Sequence, residues 1–315
     1  MKELFKVIKD KGLFIDNLKT NQLGCIKIAI VREVVNPMII RSTSPDEVLS
    51  YKFPSGREVL EIPARKLKSR EKLRGLKQTR LFDAVSEELH YNSIKKSDYL
   101  ANVNSITFGD SVTQSGDAVG LPSRVVYDWG YSIQDVNDIS DTLQHNALGE
   151  SGTMWNEEDG GLRQSLFQVQ YVKQGALIPH FITLENVTPI MLFHLLSAVI
   201  YENRYGAQSR TTGMNMVNHI VGVGFGREEA GINSYLISRD WDNSMEPTLG
   251  NVSKKVSETM KSFYGENLLD GEEVVKAVKG IWESGKNLEK EYKEFQNLSE
   301  KFLQDIGVMK GKKKR

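Results

Sequence analysis

Between Arg65 and Arg80 the chain reads RKLKSREKLRGLKQTR. Arg65, Lys66, Lys68, Arg70, Lys72, Arg74, Lys77 and Arg80 are basic there, and Glu71 alone is acidic. Cationic groups at this density suit the neutralisation of phosphates. A helix starting near Pro63 would add its N-terminal N–H groups to an anion site. The competing reading is a solvated helical face whose partners lie elsewhere. Arginine also neighbours aromatic residues: Tyr127 and Trp129 follow Arg124, and Tyr205 sits between Arg204 and Arg210. That combination suits single-stranded RNA, whose bases stack while its phosphates pair. A second basic stretch, Lys310 to Arg315, ends the chain, and acids gather in the middle at Glu157, Glu158 and Asp159.

Other residues offer weaker chemistry. Val221 to Arg227, VGVGFGR, has glycines at alternate positions. Neither phosphate-loop spacing is present, so these glycines read as points where a strand bends or approaches another backbone. A nucleotide-binding enzyme would need them to cradle phosphate. Of His90, His145, His180, His194 and His219, none shows HExxH spacing, and His194 on an apolar stretch reads as packed. No GxSxG elbow occurs. The lone Cys25 excludes a disulfide framework, a CxxC pair and a cysteine-rich zinc site, and fits a reducing interior.

These residues must be positioned by a chain of 315 residues, 39% apolar, with 41 basic and 41 acidic side chains. The neutral total hides an uneven distribution. No run approaches the roughly 20 apolar residues of a membrane span, and the N-terminus lacks a signal-peptide apolar region. A cytoplasmic protein is expected. Strands are expected over 25–35, 58–62, 123–133, 167–171, 177–184, 217–225 and 234–238. Helices are expected over 64–80 and from Pro189, with Thr188 as N-cap and Gly206 as terminator. Two helical segments are expected after Val252. Strand, helix, long insertion, two strands, helix and strand make an α+β protein. Its expected core is a split β-α-β fold of ferredoxin or RNA-recognition-motif type. The expected core spans 1–250, with an insertion at 81–122, and a helical extension with its basic tail spans 251–315.

Several segments, in this order, resemble the backbone subunits of CRISPR effector complexes, the Cas-seven family of the RAMP superfamily, and most nearly its type I-D Csc-two subgroup. They are IKIAIVREVVNPMIIRS with EVLEIPARKLKSREKLRGL, then TFGDS and GLPSRVVYDWGYS, then HNALGESGTM leading to FQVQYVKQGALIPHFITLENVTP, and RYGAQSRTTGMNMVNHIVGV. The resemblance implies a modified RNA-recognition-motif core and a subunit that polymerises along CRISPR guide RNA. It implies a thumb hairpin, by position 135–165 with Met154 and Trp155 at its tip, that displaces guide bases at intervals. The implied partners are guide RNA, target nucleic acid, further copies of the chain, a large subunit and a guide-end cap subunit, with no membrane. Phosphate contacts are expected from Arg41, the Arg65–Arg80 run, Arg124, Arg163, Arg204 and Arg210, with Tyr127 stacking. Some relatives of this subgroup carry a cysteine-rich zinc-binding insertion; residues 85–106 hold no Cys, so zinc of that kind is not expected, and no other metal or cofactor is expected either. Type III relatives cut target RNA with an acid after the first strand. Asp46 occupies that loop here, and its simpler role is to cap a turn after Ser44-Pro45.

Overall fold

The computed structural model describes residues 4–44, 46–85, 96–113, 118–146, 155–156, 161–162 and 166–309; side chains within 144–167 are not described. After a short helix at Lys6–Asp10, the elements that frame the site begin with β1 (Cys25–Val34), β2 (Ser50–Lys52), β3 (Glu58–Ile62), α1 (Ala64–Leu81) and α2 (Val103–Phe108). Next come β4 (Val125–Tyr127), β5 (Gly130–Asp135), β6 (Ser140–Asn146), β7 (Leu166–Val172) and β8 (Leu177–Glu185). The remainder are α3 (Pro189–Tyr201), β9 (Met216–Gly226), α4 (Ser234–Arg239), α5 (Leu249–Tyr264), β10 (Leu268–Asp270), α6 (Gly271–Ser284) and α7 (Leu288–Asp305).

The main sheet runs β10-β9-β1-β8-β4, every neighbour antiparallel. β1 is central and covered on both faces, which is why it is almost continuously apolar. Its period of two divides the protein into layers. Ile26, Ile28 and Ile30 face one core with α1, α3, α6 and α7, while Ala29 and Val31 face a second core with α4 and α5. The protein is thus α+β, with helices on both sides of an antiparallel sheet. Helix α3 lies innermost, buried without interruption from Ile190 to Val199, so its sequence is apolar all round.

The C-terminal helices enter these same cores. Val252, Val256 and Met260 of α5 pack beneath the sheet, and Val274, Val278, Tyr292 and Leu303 of α6 and α7 join the other side. Three helices stand where two were expected, because Gly285 takes a left-handed C-cap between α6 and α7. The 234–238 segment, expected as a strand, is α4: the Asn233 side chain accepts the Leu236 N–H and nucleates a helix. The 123–133 strand divides at Asp128-Trp129. β4 stays in the main sheet, and β5 joins β2 and β3 in a second sheet. Helix α3 ends at Tyr201, before Gly206, and Thr188 caps it without a side-chain bond. Gly206 serves a close approach instead: with φ +77, a Cβ there would collide with the Ile39 carbonyl.

The alternate glycines of β9 have a packing role. A Cβ on Gly224 would strike the Tyr264 ring, and one on Gly222 would come 3.0 Å from Leu268. β6 and β7 pair antiparallel from Ser140↔Val172 to Asn146↔Leu166, forming a hairpin in the region expected for the thumb.

Candidate nucleic-acid interface

Helix α1 begins after Pro63, whose φ of −58° is pre-set for entry. Lys, Arg, Leu, Glu and Gln keep it helical despite few apolar residues. Its inner stripe is Leu67, Glu71, Gly75 and Gln78, all buried, at helical spacing. Gly75 lets α1 approach α2 and α3. A Cβ there would lie 2.6 Å from His194 Nε2 and closer still to Asn104 Oδ1.

Glu71 is the lone acid of the basic run because it meets a buried cation. Arg32 of β1 and Glu71 are both 0% exposed. Arg32 Nη1 donates to Glu71 Oε1 at 2.7 Å, to Asn218 Oδ1 at 2.8 Å and to the Tyr205 hydroxyl at 3.2 Å. The Tyr205 and Tyr127 hydroxyls donate to Glu71 at 2.8 and 2.5 Å. Burial works against the Arg32 charge, but Glu71 more than offsets it and the guanidinium stays protonated. Burial, then Glu71, pushes both tyrosines well above their ordinary value. Arg32 Nη2 also faces His180 Nδ1 at 3.3 Å, and His180 Nε2 donates to the Asp128 carbonyl at 2.9 Å. Burial and then Arg32 hold that imidazole neutral. The network binds helix layer to sheet.

The two flanks of α1 differ. On one flank, Lys68 Nζ donates to Ser123 Oγ at 2.6 Å and to the Val125 carbonyl at 3.2 Å. Lys72 Nζ meets Asp110 Oδ1 at 2.5 Å and the Gly109 carbonyl at 2.6 Å. Burial and then Lys72 lower the Lys68 ammonium to about 8. These lysines fasten the insertion and β4. On the other flank, Arg70 reaches Glu202 at 3.3 Å and Arg74 lies over the Tyr201 ring at 5.8 Å. Glu202 also accepts the Arg204 backbone N–H at 3.0 Å. This flank therefore opens onto the 202–213 loop, where Arg204 and Arg210 are exposed. The loop is pinned to the residues after β1, the Ala207 N–H donating to the Ile39 carbonyl at 2.7 Å, with Arg41 two residues on. Exposed Met214, 49% accessible, directly follows that loop. Arg65 and Lys77 point to solvent; Lys66 is half-buried, as is Arg80, which is engaged by neighbours.

The expected residues thus separate. Arg70 and Arg74 meet Glu202 and Tyr201, exposed Arg204 follows with its backbone N–H on Glu202, and Arg41 and Arg210 lie on the adjoining loops. Arg124 lies elsewhere: its guanidinium donates to the Leu18 carbonyl at 2.5 Å and to the Asn186 carbonyl, and lies over Phe302. Burial lowers its basicity. It clamps the N-terminal segment. Tyr127 is a correction: it is buried against Glu71 and has no free face for a base. Its neighbours Val126 and Trp129 are the exposed residues of that segment, at 54% and 46%. Nothing in the sequence distinguishes them, since a strand of three residues is too short to show a period and Trp129 lies beyond it. Met154, Arg163 and Lys310 to Arg315 lie outside the described residues, and Trp155 is described in backbone only.

Asp46 is exposed; its N–H lies 3.3 Å from Ser44 Oγ and its carbonyl accepts the Gln170 N–H at 2.7 Å. Among the described residues no three His, Cys, Asp or Glu side chains gather in a metal-binding arrangement. Cys25 is buried in β1, so the donor set does not fit a cysteine-ligated zinc. The insertion is held by other means. Ser105 Oγ donates to Asp110 Oδ2 at 2.8 Å, Asn102 caps α2, and Leu100, Val103, Ile106 and Phe108 enter the core.

Known structures share this architecture. It superimposes on the crystal structure of Thermofilum pendens Csc2 with a TM-score of 0.63 over 94% of this chain and 95% of that one, at 15% identity. A chain of a CRISPR RNA-guided surveillance complex aligns with a TM-score of 0.50 over 77% of this chain and 86% of that chain, at 9% identity. A chain of such a complex in a pre-nicking state gives 0.50 over 78% and 90%, at 11% identity. At these identities the likeness establishes a shared fold. No curated protein matches the sequence. The family model described as Csc2 Crispr matches residues 61–313, and the chain belongs to that CRISPR family.

Proposed function

We propose that this protein is a guide-RNA-binding backbone subunit of a type I-D-like CRISPR effector complex. In this reading β9-β1-β8-β4, with crossover helices α1 and α3, is a modified RNA-recognition-motif core. The carrying observation is that Arg70 and Arg74 turn to the flank of α1 that faces Tyr201-Glu202, from which the loop bearing exposed Arg204 and Arg210 departs beside Arg41, in a member of the Csc2 family. Guanidinium groups there grip the RNA backbone without reading sequence, and the β6–β7 hairpin reaches over the guide as a thumb. Copies align along one guide, and a large subunit and a guide-end cap complete the assembly. The guide is thereby presented to target nucleic acid. The subunit contributes positioning and no bond cleavage.

The test is binding of short single-stranded RNA across a salt series. Reversing Arg204 and Arg210 together removes two phosphate contacts, so the slope of log affinity against log salt falls by about 1.4, at about 0.7 per contact. An unchanged slope rejects this interface. Incubating filaments with complementary RNA, with and without Asp46→Ala, tests the cleavage reading: loss of cutting in the variant would make the subunit a ribonuclease.

A further inference from the structure

The 202–213 loop leaves α3 at Glu202 and returns to β9 through Asn215. It bends tightly: Gly206 and Gly213 take φ of +77° and +69°, and Gln208, which is not glycine, takes +51°. A residue with a Cβ stays in the left-handed region only where its surroundings hold it. Three asparagines supply that hold through main-chain groups. Asn215, fully buried, closes a ring on Tyr205: its Oδ1 accepts the Tyr205 N–H at 2.9 Å and its Nδ2 donates to the Tyr205 carbonyl at 2.8 Å. Its own N–H donates to the Asn203 carbonyl at 2.9 Å. Asn36, two residues beyond β1, donates Nδ2 to the Thr212 carbonyl at 2.6 Å. Asn218 of β9 donates Nδ2 to the Val199 and Glu202 carbonyls at 2.8 and 3.0 Å, while its Oδ1 accepts from Arg32.

We infer that Asn36, Asn215 and Asn218 are positioning residues for nucleic-acid binding: they fix this loop in advance, so that Arg204 and Arg210 meet phosphates without a segment having to order. The inference rests on the guide-RNA reading above. From Glu202 to Gly213 the loop carries two arginines and one acid, and it departs beside the α1 flank of Arg70 and Arg74. Like charges on neighbouring segments push the loop outward. A carboxylate clamp would resist that push only by neutralising the charge that a phosphate requires. A primary amide resists it with no charge, and its donor and acceptor match a main-chain carbonyl and N–H as a pair. The clamp grips backbone alone within the loop's charged stretch, so the Arg204 and Arg210 side chains stay exposed. A loop ordered at the moment of binding lowers affinity, and one held beforehand does not.

The test compares the full chain with Asn215→Ala and Asn36→Ala, each first shown to be folded by urea unfolding. Asn36 is half-buried and stands outside the Arg32 network, so its variant carries the test alone if Asn215→Ala does not fold. Amide exchange at 204–213 in the free protein should quicken at least about tenfold, with exchange in α3 unchanged. Affinity for a short labelled oligouridylate should fall about fivefold or more, while the slope of log affinity against log salt keeps its wild-type value, because every cation remains. Loss of a phosphate contact does the opposite and lowers the slope, as expected for the Arg204 and Arg210 reversal. Unchanged exchange in the free variants would overturn the inference, and so would a salt slope that falls in them. Unchanged affinity in the variants, beside a slope that the arginine reversal does lower, would overturn it and spare the RNA reading. A slope that the arginine reversal leaves unmoved would reject the RNA reading and the inference together.

Discussion

Replacing Glu71 by Ala should cost this protein more stability than removal of any exposed charge. The substitution leaves Arg32 charged, since nothing nearby can take its proton, and fully buried. It also removes the acceptor of the Tyr127 and Tyr205 hydroxyls. Breaking a buried ion pair from one side costs about 3–5 kcal/mol, and each orphaned hydroxyl adds about 1–3 kcal/mol where water cannot reach it. Asn218 still accepts from Arg32, which keeps the total near the lower half of that sum. A loss of about 5–8 kcal/mol should move the urea midpoint down by more than roughly 1 M. Arg32→Met combined with Glu71→Leu removes both charges and should be less destabilised than the sum of the two single variants by at least about 2 kcal/mol. The assay is equilibrium urea unfolding of five proteins, the wild type, Glu71→Ala, Glu71→Leu, Arg32→Met and the double variant, with RNA affinity measured on the folded fraction. A loss below about 1 kcal/mol for Glu71→Ala, or strict additivity in the cycle, would refute the claim that this pair joins helix layer to sheet.

Gly75→Ala gains about 1 kcal/mol of helix propensity yet should destabilise by about 1–3 kcal/mol in thermal unfolding, because the new methyl displaces His194 and Asn104. Lys68→Glu sets a carboxylate against the Val125 carbonyl and should lower stability as well as RNA affinity, whereas Arg204→Glu should lower affinity with stability unchanged within about 0.5 kcal/mol, compared by urea unfolding and RNA titration. Burial above all raises the Asp128 carboxyl from 3.8 to about 6. A raised acid favours the folded state below 3.8 and loses that contribution as pH rises through 6. Asp128→Asn should therefore be the more stable protein above pH 6, by up to about 3 kcal/mol, and the two should converge near pH 4 in a pH series of unfolding midpoints. Burial lowers His194 to about 3, so its share of stability is present above 6.5 and falls away as pH drops below it; a histidine-to-glutamine variant should flatten that acid limb.

Elements with two covered faces were legible because burial dictates their composition. β1 and β8 are buried almost throughout and rich in apolar residues, and α3 is apolar all round for the same reason. Short elements were not legible. SYLIS alternates as a strand would, and only the Asn233 cap decides for a helix. SRVVYDWGYSI reads as one strand because no local signal shows that its halves belong to different sheets. Gly206 was recognisable as a special position, but its carbonyl neighbour is Ile39, and such a partner is invisible to local pattern.

The interface was half legible for a related reason. A count of like charges finds a basic helix, but helical spacing then assigns its residues to opposite flanks. Lys68 and Lys72 meet acceptors that lie far along the chain, at Ser123, Val125, Gly109 and Asp110, and so become fastenings. Arg70 and Arg74 turn to the flank where Glu202 offers one carboxylate among several cations, and keep charge to spare. Lysine on the first flank and arginine on the second fit their neighbours. A point charge on a flexible stem satisfies carbonyls and a hydroxyl, while a planar fork can stack on Tyr201 and still present N–H groups outward. The same distinction separates Arg124 from Arg204. Both have aromatic residues within a few positions in sequence, yet the Arg124 fork is filled by two main-chain carbonyls while Arg204 is exposed beside Glu202.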